Sequence, residues 1–287
     1  MENGVYKMDE KWTTILKPKQ KGVDLNLKEV LSYKDLIFLF VKRNYVTKYK
    51  QTILGPLWLL ISPLLTTLMF VIVFGNIAGI STEGAPQLLF FMSGNIVWTY
   101  FAFCVNQTSN TFVANAGVFG KVYFPRMVVP ISTVLTGLLD FFVQMTMFLL
   151  FFVIYCFSGY EIRYSWWILI IPVLVLQLAM LGMGVGIIVS SLTTKYRDLS
   201  ILVNFGVQLW MYASPVVYSV SLVPEKFRFI YMLNPVTPII IVFRYAFLGI
   251  GEIPYATWGI SWLTTLIIII CGLILFSKIE KTFMDTV

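Results

Sequence analysis

The side chains that carry most enzyme chemistry are largely missing from this 287-residue chain, which contains no histidine. Without histidine, neither a mixed Cys/His metal site nor a Ser–His or Cys–His catalytic pair can form within the chain. The three cysteines, Cys104, Cys156 and Cys271, all lie in apolar stretches. Their odd number and surroundings favour small packing residues over a disulfide framework. We therefore predict no catalytic residue and no metal site.

Asp140 is the one acidic residue that lies well inside a long apolar stretch. An ionisable side chain inside a membrane segment is a candidate functional group by default, because placing it in lipid is costly. A lone carboxylate, however, supplies neither a proton relay nor paired acid–base chemistry. The sequence leaves two interpretations open: an intramembrane functional acid, or a polar contact that a neighbouring helix satisfies.

A phosphate-binding loop for nucleotides is missing as well. The segment Gly117–Lys121 has two glycines and a lysine. It lacks the spacing and the hydroxyl residue of the motif G-x-x-x-x-G-K-[ST]. We predict that the chain does not hydrolyse nucleotide alone and holds no cofactor of its own.

The surroundings of these residues are those of a membrane protein. No charged residue occurs between Gln51 and Thr82, and 58% of the chain is hydrophobic while 12% is charged. A bilayer core about 30 Å thick is crossed by roughly 20 apolar residues in a helix. A typical soluble domain carries about 25% charged residues, so lipid is the solvent that suits this composition.

The net charge of +7 is placed in a way that argues against nucleic acid as a partner. Eleven of the 21 Lys and Arg residues lie in the first 54 residues, where a membrane-surface segment would face anionic lipid. No signal peptide is visible, so we expect the N-terminus to stay in the cytoplasm. Membrane lipids, and not nucleic acid, are the expected partners of this charge.

The chain divides into a polar tail over residues 1–30, an amphipathic interfacial helix over 31–54 and a membrane domain over 55–287. In the interfacial helix Ile37, Phe40, Val41 and Tyr45 can share one face; a plain basic flank is the alternative. The predicted spans are about Gly55–Ile80, Gln87–Thr111, Met127–Phe157, Trp166–Leu192, Ser200–Val220 and Trp258–Ser277. The fold class is thus all-α, with six transmembrane helices.

The uncharged stretch Phe229–Phe243 is too short to cross as a regular helix and contains Pro235 and Pro238. We predict a re-entrant segment between spans five and six, with Arg244 after it facing water or pairing with an acid such as Glu225 or Glu252. With six spans, most basic residues fall on cytoplasmic segments, which places both termini in the cytoplasm.

Aromatic residues cluster at the predicted outer ends of the spans. One interpretation is the ordinary interfacial belt, where amphipathic rings lie at the level of the lipid headgroups. The other is a stacking surface for sugar rings, and position alone does not decide between them. The residues are Trp98, Tyr100, Tyr155, Phe157, Trp166, Trp167 and Tyr218. Separately, Gly182, Gly186 and Ser190 in span four indicate close helix packing.

Five segments in order give the chain a resemblance to the permease subunits of bacterial ABC-2 type exporters of polysaccharides such as O-antigen, capsule and teichoic acid. The resemblance runs from about residue 30 to the end, and the polar N-terminus before it is less typical. The segments are Tyr49–Trp58 with Pro63, Lys121–Arg126 with Pro130, Lys195–Leu199, Ser214–Tyr218, and Leu233–Pro235 with Arg244.

The resemblance implies two permease copies side by side in the bacterial inner (plasma) membrane, and two separate ATPase subunits that bind ATP and Mg²⁺. It implies a channel for a lipid-linked polysaccharide, a cytoplasmic coupling loop and an outer gate. By this resemblance the coupling residues are Asn115, Gly117, Phe119, Gly120, Lys121 and Tyr123, with Phe119 as an apolar anchor. The channel rings are Trp58, Trp98, Tyr100, Phe101, Trp210 and Tyr212. The gate residues are Pro224, Asn234, Pro235 and Arg244.

Three alternatives remain at this stage. An ABC-2 exporter of a small lipophilic compound would share the same fold. A membrane-embedded glycosyltransferase would need clustered Asp, Glu or His at the membrane face, and the acids here are scattered. A passive channel would need no cytoplasmic coupling loop.

Overall fold

The computed structural model describes residues 27–50, 52–160, 164–194, 196 and 198–282, and the regular structure of this part is all helical, with no strand. A π-helix, Val71–Ile77, continues α3, and a 3₁₀ turn, Trp166–Ile170, precedes α7. The α-helices are α1 Leu27–Ser32, α2 Lys34–Tyr49, α3 Trp58–Phe70, α4 Gln87–Thr108, α5 Thr111–Phe119, α6 Val128–Phe157, α7 Ile171–Thr193, α8 Leu199–Tyr212, α9 Glu225–Met232, α10 Val236–Leu248 and α11 Tyr255–Thr282.

Five helical segments of the described chain are long and apolar enough to cross a membrane, and they match predicted spans one, two, three, four and six. They measure 22 to 30 residues, or about 33–45 Å at 1.5 Å per residue. The segments are Gly55–Ile77, Gln87–Thr108, Val128–Phe157, Trp166–Thr193 and Tyr255–Glu280.

The helices alternate between two ends of the bundle. One end, here the α5 end, carries α1, α5 and the loop 120–127. The other, the α9 end, carries the loop 78–86, the loop 213–224 and α9.

The fifth predicted span, Ser200–Val220, is helical only as α8, which has 14 residues and is about 21 Å long. After α8 the chain continues through the loop 213–224 into the helix pair α9 and α10, which bends by 97° between Met232 and Val236. Pro235 caps α10 and Pro238 lies in its first turn, where a missing N–H leaves no intrahelical bond broken. The segment predicted to be re-entrant is therefore a bent pair and not a straight helix, and its re-entrant course stays a prediction.

Helix α4 is the centre of the bundle, since 78% of its apolar window is buried. It packs against α6, α7 and α10. The approach of α7 is close enough to require glycine. A Cβ at Gly182 would lie 2.6 Å from Cys104 Cβ, and one at Gly186 would lie 1.6 Å from Thr108 Oγ1. The small residues of span four thus act as the sequence predicted, by letting two helices meet.

Helix α2 packs lengthwise beside α6, with Ile37 and Phe40 buried on the contact face. The Phe40 ring lies 5.7 Å from the Phe124 ring at one end. At the other end Lys48 reaches Asp140, which is 12 residues, or about 18 Å, into α6. The predicted interfacial helix is therefore a packed part of the bundle. Of the predicted tail, residues 1–26 lie outside the described residues, and Leu27 already begins α1.

Candidate functional sites

The predicted coupling segment forms helix α5, its C-cap Gly120 and an exposed loop. Asn115 is half-buried, and its amide donates to the Thr111 carbonyl of its own helix, 3.0 Å away. Lys121 and Tyr123 are exposed. The surface offered at this end is partly apolar, because Val113 (43% exposed), Val122 (58%) and Tyr123 (71%) project from it.

Phe119 does not project from this surface, which corrects its expected role as an external anchor. Its side chain is only 4% exposed. Its ring lies 6.1 Å from that of Phe112 and 5.7 Å from that of Phe124. The signal in the sequence was the apolar stripe Phe112, Ala116 and Phe119, whose spacing places three residues on one helix face. Phe119 therefore shapes the loop from inside the chain.

The coupling segment is joined to helices from both ends of the sequence. Phe124 contacts Phe40 of α2, and Phe112 stacks on Phe276 of α11 with ring centres 4.6 Å apart. Arg126 Nη1 donates to the Glu280 carbonyl at 2.8 Å. Burial lowers the pKa of the Arg126 guanidinium, and the Glu280 carboxylate opposes that change. A force applied to this segment would thus reach α2, α6 and α11 together.

Three of the six predicted channel rings, Trp98, Phe101 and Trp210, pack against one another within the subunit core. Trp98 and Phe101 are 5% and 0% exposed, and the Phe101 ring packs 5.1 Å from the Trp210 ring. The half-buried Trp210 donates its indole N–H to Asn234 Oδ1 at 3.1 Å. The expectation that Trp98 and Phe101 face a channel does not hold in this structure, because their faces are covered by neighbouring side chains. A helix sequence alone does not show which face meets a neighbour.

The other three predicted rings differ in position. Trp58 and Tyr212 are exposed by 45% and 51%, on α3 and α8, which both pack on α4. Tyr100 is 3% exposed and lies on another face of α4, 5.4 Å from the Phe141 ring. Only Trp58 and Tyr212 are thus placed where a ligand outside the subunit core could touch their rings.

Asn234 holds the bend of the predicted gate. Its Nδ2 donates to Ser214 Oγ at 2.8 Å and to the Ala213 carbonyl at 3.0 Å. The Pro235 carbonyl accepts from Ser261 Oγ of α11 at 2.6 Å. Pro224 is exposed and caps α9. The hairpin is thereby tied to the end of α8 and to α11.

Arg244 is buried, with 4% exposure, and within the described chain it contacts backbone carbonyls and Ser93, not an acid. Its Nη2 donates to the Val216 carbonyl at 2.7 Å, and the guanidinium stacks 3.8 Å from the centre of the Phe90 ring. Weaker bonds reach Ser93 Oγ and the carbonyls of Phe90 and Tyr218. No carboxylate of the described residues lies within 4 Å of it. The expected acid partner is therefore replaced by carbonyl dipoles.

Gly94 makes the room for this arrangement. A Cβ there would lie 2.7 Å from Arg244 Nη2 and 2.5 Å from the Val216 carbonyl oxygen. Nearby, the Ser219 hydroxyl donates to the carboxylate of Glu83, which has a positive φ of 53°. At the α9 end, the guanidinium of Arg244 on α10 thus links α4 and the loop 213–224 through hydrogen bonds.

Asp140 makes an ion pair with Lys48 of α2, the helix that precedes the first predicted span. Lys48 Nζ lies 2.5 Å from Asp140 Oδ2, and the Tyr49 hydroxyl lies 3.4 Å from Oδ1. Of the two interpretations left open by the sequence, the structure favours a satisfied polar contact. The sequence did not identify the partner, which lies 92 residues away, although Lys48 belongs to the basic run before span one.

A match to the family described as "ABC-2 type transporter" extends over residues 35–248. The chain belongs to the ABC-2 type transporter family. The match begins within α2 and ends at the last residue of α10, so the α2–α6 pair and the bent hairpin both lie inside it. The resemblance carried by the five sequence segments is confirmed.

Several named relatives of this ABC-2 transporter chain are permeases. An "O-antigen export system permease protein RfbA" from Klebsiella pneumoniae is 29% identical over 264 residues, covering 92% of this chain and 99% of its own. The protein of that name from Myxococcus xanthus is 26% identical and covers 70% of this chain and 74% of its own. An "Inner membrane transport permease YadH" from Escherichia coli (strain K12) is 24% identical, covering 69% and 78%.

Membership in this family defines the chain as the membrane subunit of a transporter and not as an enzyme. The bundle accordingly has membrane-length helices, an exposed surface at the α5 end and a bent hairpin whose α10 half is buried.

Proposed function

We propose that this chain is the permease subunit of an ATP-driven exporter that moves a lipid-linked polysaccharide across the bacterial inner membrane. The observation that carries the proposal is the match to an O-antigen export permease over 92% of this chain and 99% of that one. Because the match covers nearly all of both chains, the proposal rests on most of the permease and not on a short shared segment.

A second copy of the chain is the expected neighbour of α3. Only 11% of the apolar window Gly55–Ile77 is buried within the subunit, against 78% for α4. Helix α8 likewise leaves Phe205, Leu209 and Tyr212 exposed. Two copies that meet through these helices would enclose a passage, with Trp58 and Tyr212 on its walls. Aromatic faces there would stack against the C–H faces of sugar rings.

The passage is needed because a sugar polymer cannot cross hydrocarbon unaided. Each hydroxyl that loses its hydrogen bonds to water costs roughly 2–7 kcal/mol, so even one sugar unit meets a prohibitive barrier. Side-chain donors, acceptors and trapped water in a protein passage remove most of that cost. A passage that opens sideways would let the lipid anchor stay in the bilayer.

The energy source is a pair of separate ATPase subunits, which bind ATP and Mg²⁺. Gly117–Lys121 lacks a phosphate-binding loop, and the α5 end offers exposed Val113, Val122 and Tyr123 as a contact surface. A displacement of this surface would be transmitted to α11 through the contact of Phe112 with Phe276, and to α2 through the contact of Phe124 with Phe40. ATP binding shifts the bundle between two states only if the ATPase contacts those states differently.

The α5 end would face the cytoplasm, together with both termini, because the basic residues Lys42, Arg43, Lys121 and Arg126 lie at or near it. Cysteine labelling tests this orientation and the re-entrant hairpin at once. In a variant without Cys104, Cys156 and Cys271, single cysteines at Ser221 and Gly251 should both react with an impermeant reagent added outside. Reaction of either one from the cytoplasmic side alone would contradict the orientation.

Transport itself can be tested in inverted membrane vesicles that contain the chain and its ATPase. Addition of ATP should move labelled lipid-linked polysaccharide into the lumen, where an added glycosidase cannot reach it. A vesicle population with an ATPase that lacks its phosphate-loop lysine is the control. If ATP leaves the polysaccharide accessible and instead drives uptake of a small lipophilic dye, the second candidate, export of a small lipophilic compound, replaces this one.

A further inference from the structure

A cavity of about 420 Å³ lies at the α9 end of the bundle, where α9, α10, the loops 78–86 and 213–224 and the segment 249–254 meet. This volume lies within the roughly 300–1,000 Å³ of small-molecule pockets. Its wall carries charges of both signs, from two acids and two arginines. They are Glu83, Arg228, Arg244 and Glu252.

These four charges do not neutralise one another. Within the described residues, none of them lies within 4 Å of an opposite charge. Arg244 is the buried member of the set, and its Nη1 carries two N–H groups but makes one hydrogen bond, to the Tyr218 carbonyl. A buried cation normally has an anionic partner, because taking it out of water is costly. The cavity therefore has a place for a counter-charge that the chain does not supply.

Glu83 is held at the edge of this cavity by an unusual backbone. Its φ of 53° is the one positive φ of a non-glycine residue in the described part of the chain. Such a conformation persists only where surrounding contacts hold it, and it occurs preferentially at functional sites. Here the Ser219 hydroxyl, which also lines the cavity, donates to the Glu83 carboxylate. The position of this carboxylate is thus fixed by the fold.

The charges on the wall sum to zero, so an anion alone or a cation alone suits it poorly. A purely anionic ligand would meet Glu83 and Glu252, and a purely cationic one would meet the two arginines. Guanidinium groups bind phosphate oxygens with paired hydrogen bonds, whereas an ammonium group has three N–H donors for carboxylates. A small group that contains both a phosphate and an ammonium satisfies all four side chains.

The rest of the site is apolar and lies beside a helix suited to the membrane surface. Helix α9 exposes Phe229 by 69% and Ile230 by 67%, next to the basic residues Lys226 and Arg228. Exposed apolar side chains beside basic ones are typical of a helix at the boundary of lipid and water. A ligand at that level with a charged group and an apolar remainder is a phospholipid. The apolar residues of the cavity wall include Met232, Ile241, Ile250 and Ile253.

We propose that this cavity binds the headgroup of phosphatidylethanolamine from the leaflet at the α9 end. The phosphate is assigned to Arg228 and Arg244, and the primary ammonium group to Glu83 and Glu252. Because the headgroup contacts α9, α10 and the neighbouring loops, its binding stabilises the bent hairpin. This site is independent of which cargo the permease moves.

The test uses the full-length chain in a mild detergent and three lipids with identical dioleoyl chains. They are phosphatidylethanolamine, phosphatidylcholine, whose quaternary ammonium has no N–H donor, and phosphatidylglycerol, which has no cation. Native mass spectrometry over a series of lipid concentrations gives a dissociation constant for each. Phosphatidylethanolamine should bind at least about 5-fold more tightly than the other two, and it alone should raise the melting temperature clearly.

Two variants separate the two halves of the headgroup. Arg228→Gln should weaken binding of phosphatidylethanolamine about 5- to 10-fold, between the effects of an exposed ion pair and of a charged hydrogen bond. Glu252→Gln should weaken it similarly but leave phosphatidylglycerol binding unchanged or tighter, because it removes a repulsion from the phosphate. Lys226→Gln and Glu225→Gln are the charge-matched controls, since both residues are exposed on α9 and outside the cavity, and neither should change the lipid preference.

All four substituted side chains are exposed, so the melting temperature without added lipid should stay the same in every variant. Equal affinity for the three lipids, or tightest binding of phosphatidylglycerol, would overturn the proposal. Stronger binding of both phosphatidylethanolamine and phosphatidylglycerol in Glu252→Gln would show a plain anion site instead. A preference for phosphatidylethanolamine that survives in Arg228→Gln and Glu252→Gln, or that the control variants weaken equally, would place the lipid outside this cavity.

Discussion

Breaking the Lys48–Asp140 pair should destabilise the chain measurably, because α2 is held to α6 by this contact at one end and by Phe40 at the other. The carboxylate is the more deeply buried partner, with 9% of its side chain exposed against 40% for Lys48. Removing one partner of a fully buried pair costs about 3–5 kcal/mol. Exposed pairs contribute about 0.2–1 kcal/mol.

The half-exposed lysine places this pair between those limits. We expect Lys48→Met to cost about 2–3 kcal/mol, because it leaves the carboxylate with only the Tyr49 hydroxyl. Asp140→Asn should cost about 1 kcal/mol, since the ammonium can turn towards water. The double variant should be more stable than the sum of the single effects predicts, by a coupling energy of about 1–2 kcal/mol.

Reversible unfolding in mixed micelles of mild detergent and SDS, followed by tryptophan fluorescence, measures these free energies. Lys50→Met is the matched control, since Lys50 is exposed just past the end of α2, and it should change stability by less than about 0.5 kcal/mol. A coupling energy below roughly 0.3 kcal/mol would lie within ordinary additivity error and would refute the role given to the pair.

Three further predictions concern other parts of the bundle. Tyr123→Asp should weaken association with the ATPase, measured by co-purification, without lowering the melting temperature, whereas Phe119→Ala should cost about 3–5 kcal/mol of stability because its ring is buried. Arg244→Met should lower the melting temperature clearly, because it leaves buried carbonyl oxygens without their donor. Gly186→Ala should cost about 1–3 kcal/mol through clashes with Thr108 and with the Val105 carbonyl, and Thr108→Ala should recover only part of that loss, because Thr108 Cβ and the Val105 carbonyl oxygen each lie 2.9 Å from the added methyl group.

Each of these three has a result that would contradict it. Equal melting temperatures for Phe119→Ala and the wild type would show that the ring is not part of the core. A stable Arg244→Met variant would mean that water replaces the guanidinium at no cost. If Gly186→Ala leaves the stability unchanged, α4 and α7 do not approach as closely as described.

The spans were predictable because lack of charge over 20 or more residues is a property of composition and does not depend on packing. The predicted and observed bounds agree to within a few residues for all five long spans. The predicted fifth span, Ser200–Val220, was too long. The stretch is uncharged, but its helix ends at Tyr212, just before Ser214 and Pro215. Pro215 disfavours the helical conformation at the residue before it, a signal the sequence did contain.

The functional side chains were harder to place, since their positions depend on contacts between distant parts of the chain. Nothing in the local sequence shows that Trp98 and Phe101 face inward while Trp58 faces outward. Arg244 could be recognised as costly in lipid, but its carbonyl partners come from two other elements. The partner of Asp140 lies 92 residues away, so only the tertiary structure shows it.

The central claim is that this chain exports a polysaccharide with energy from a separate ATPase. The most direct measurement is the amount of lipid-linked polysaccharide inside and outside host cells after the chain's gene is deleted and then restored. The account predicts that polymer accumulates in the cytoplasm on deletion. It predicts that export returns only when both the chain and an ATPase with an intact phosphate-loop lysine are present. Unchanged surface polysaccharide after deletion, or export restored with an inactive ATPase, would contradict it.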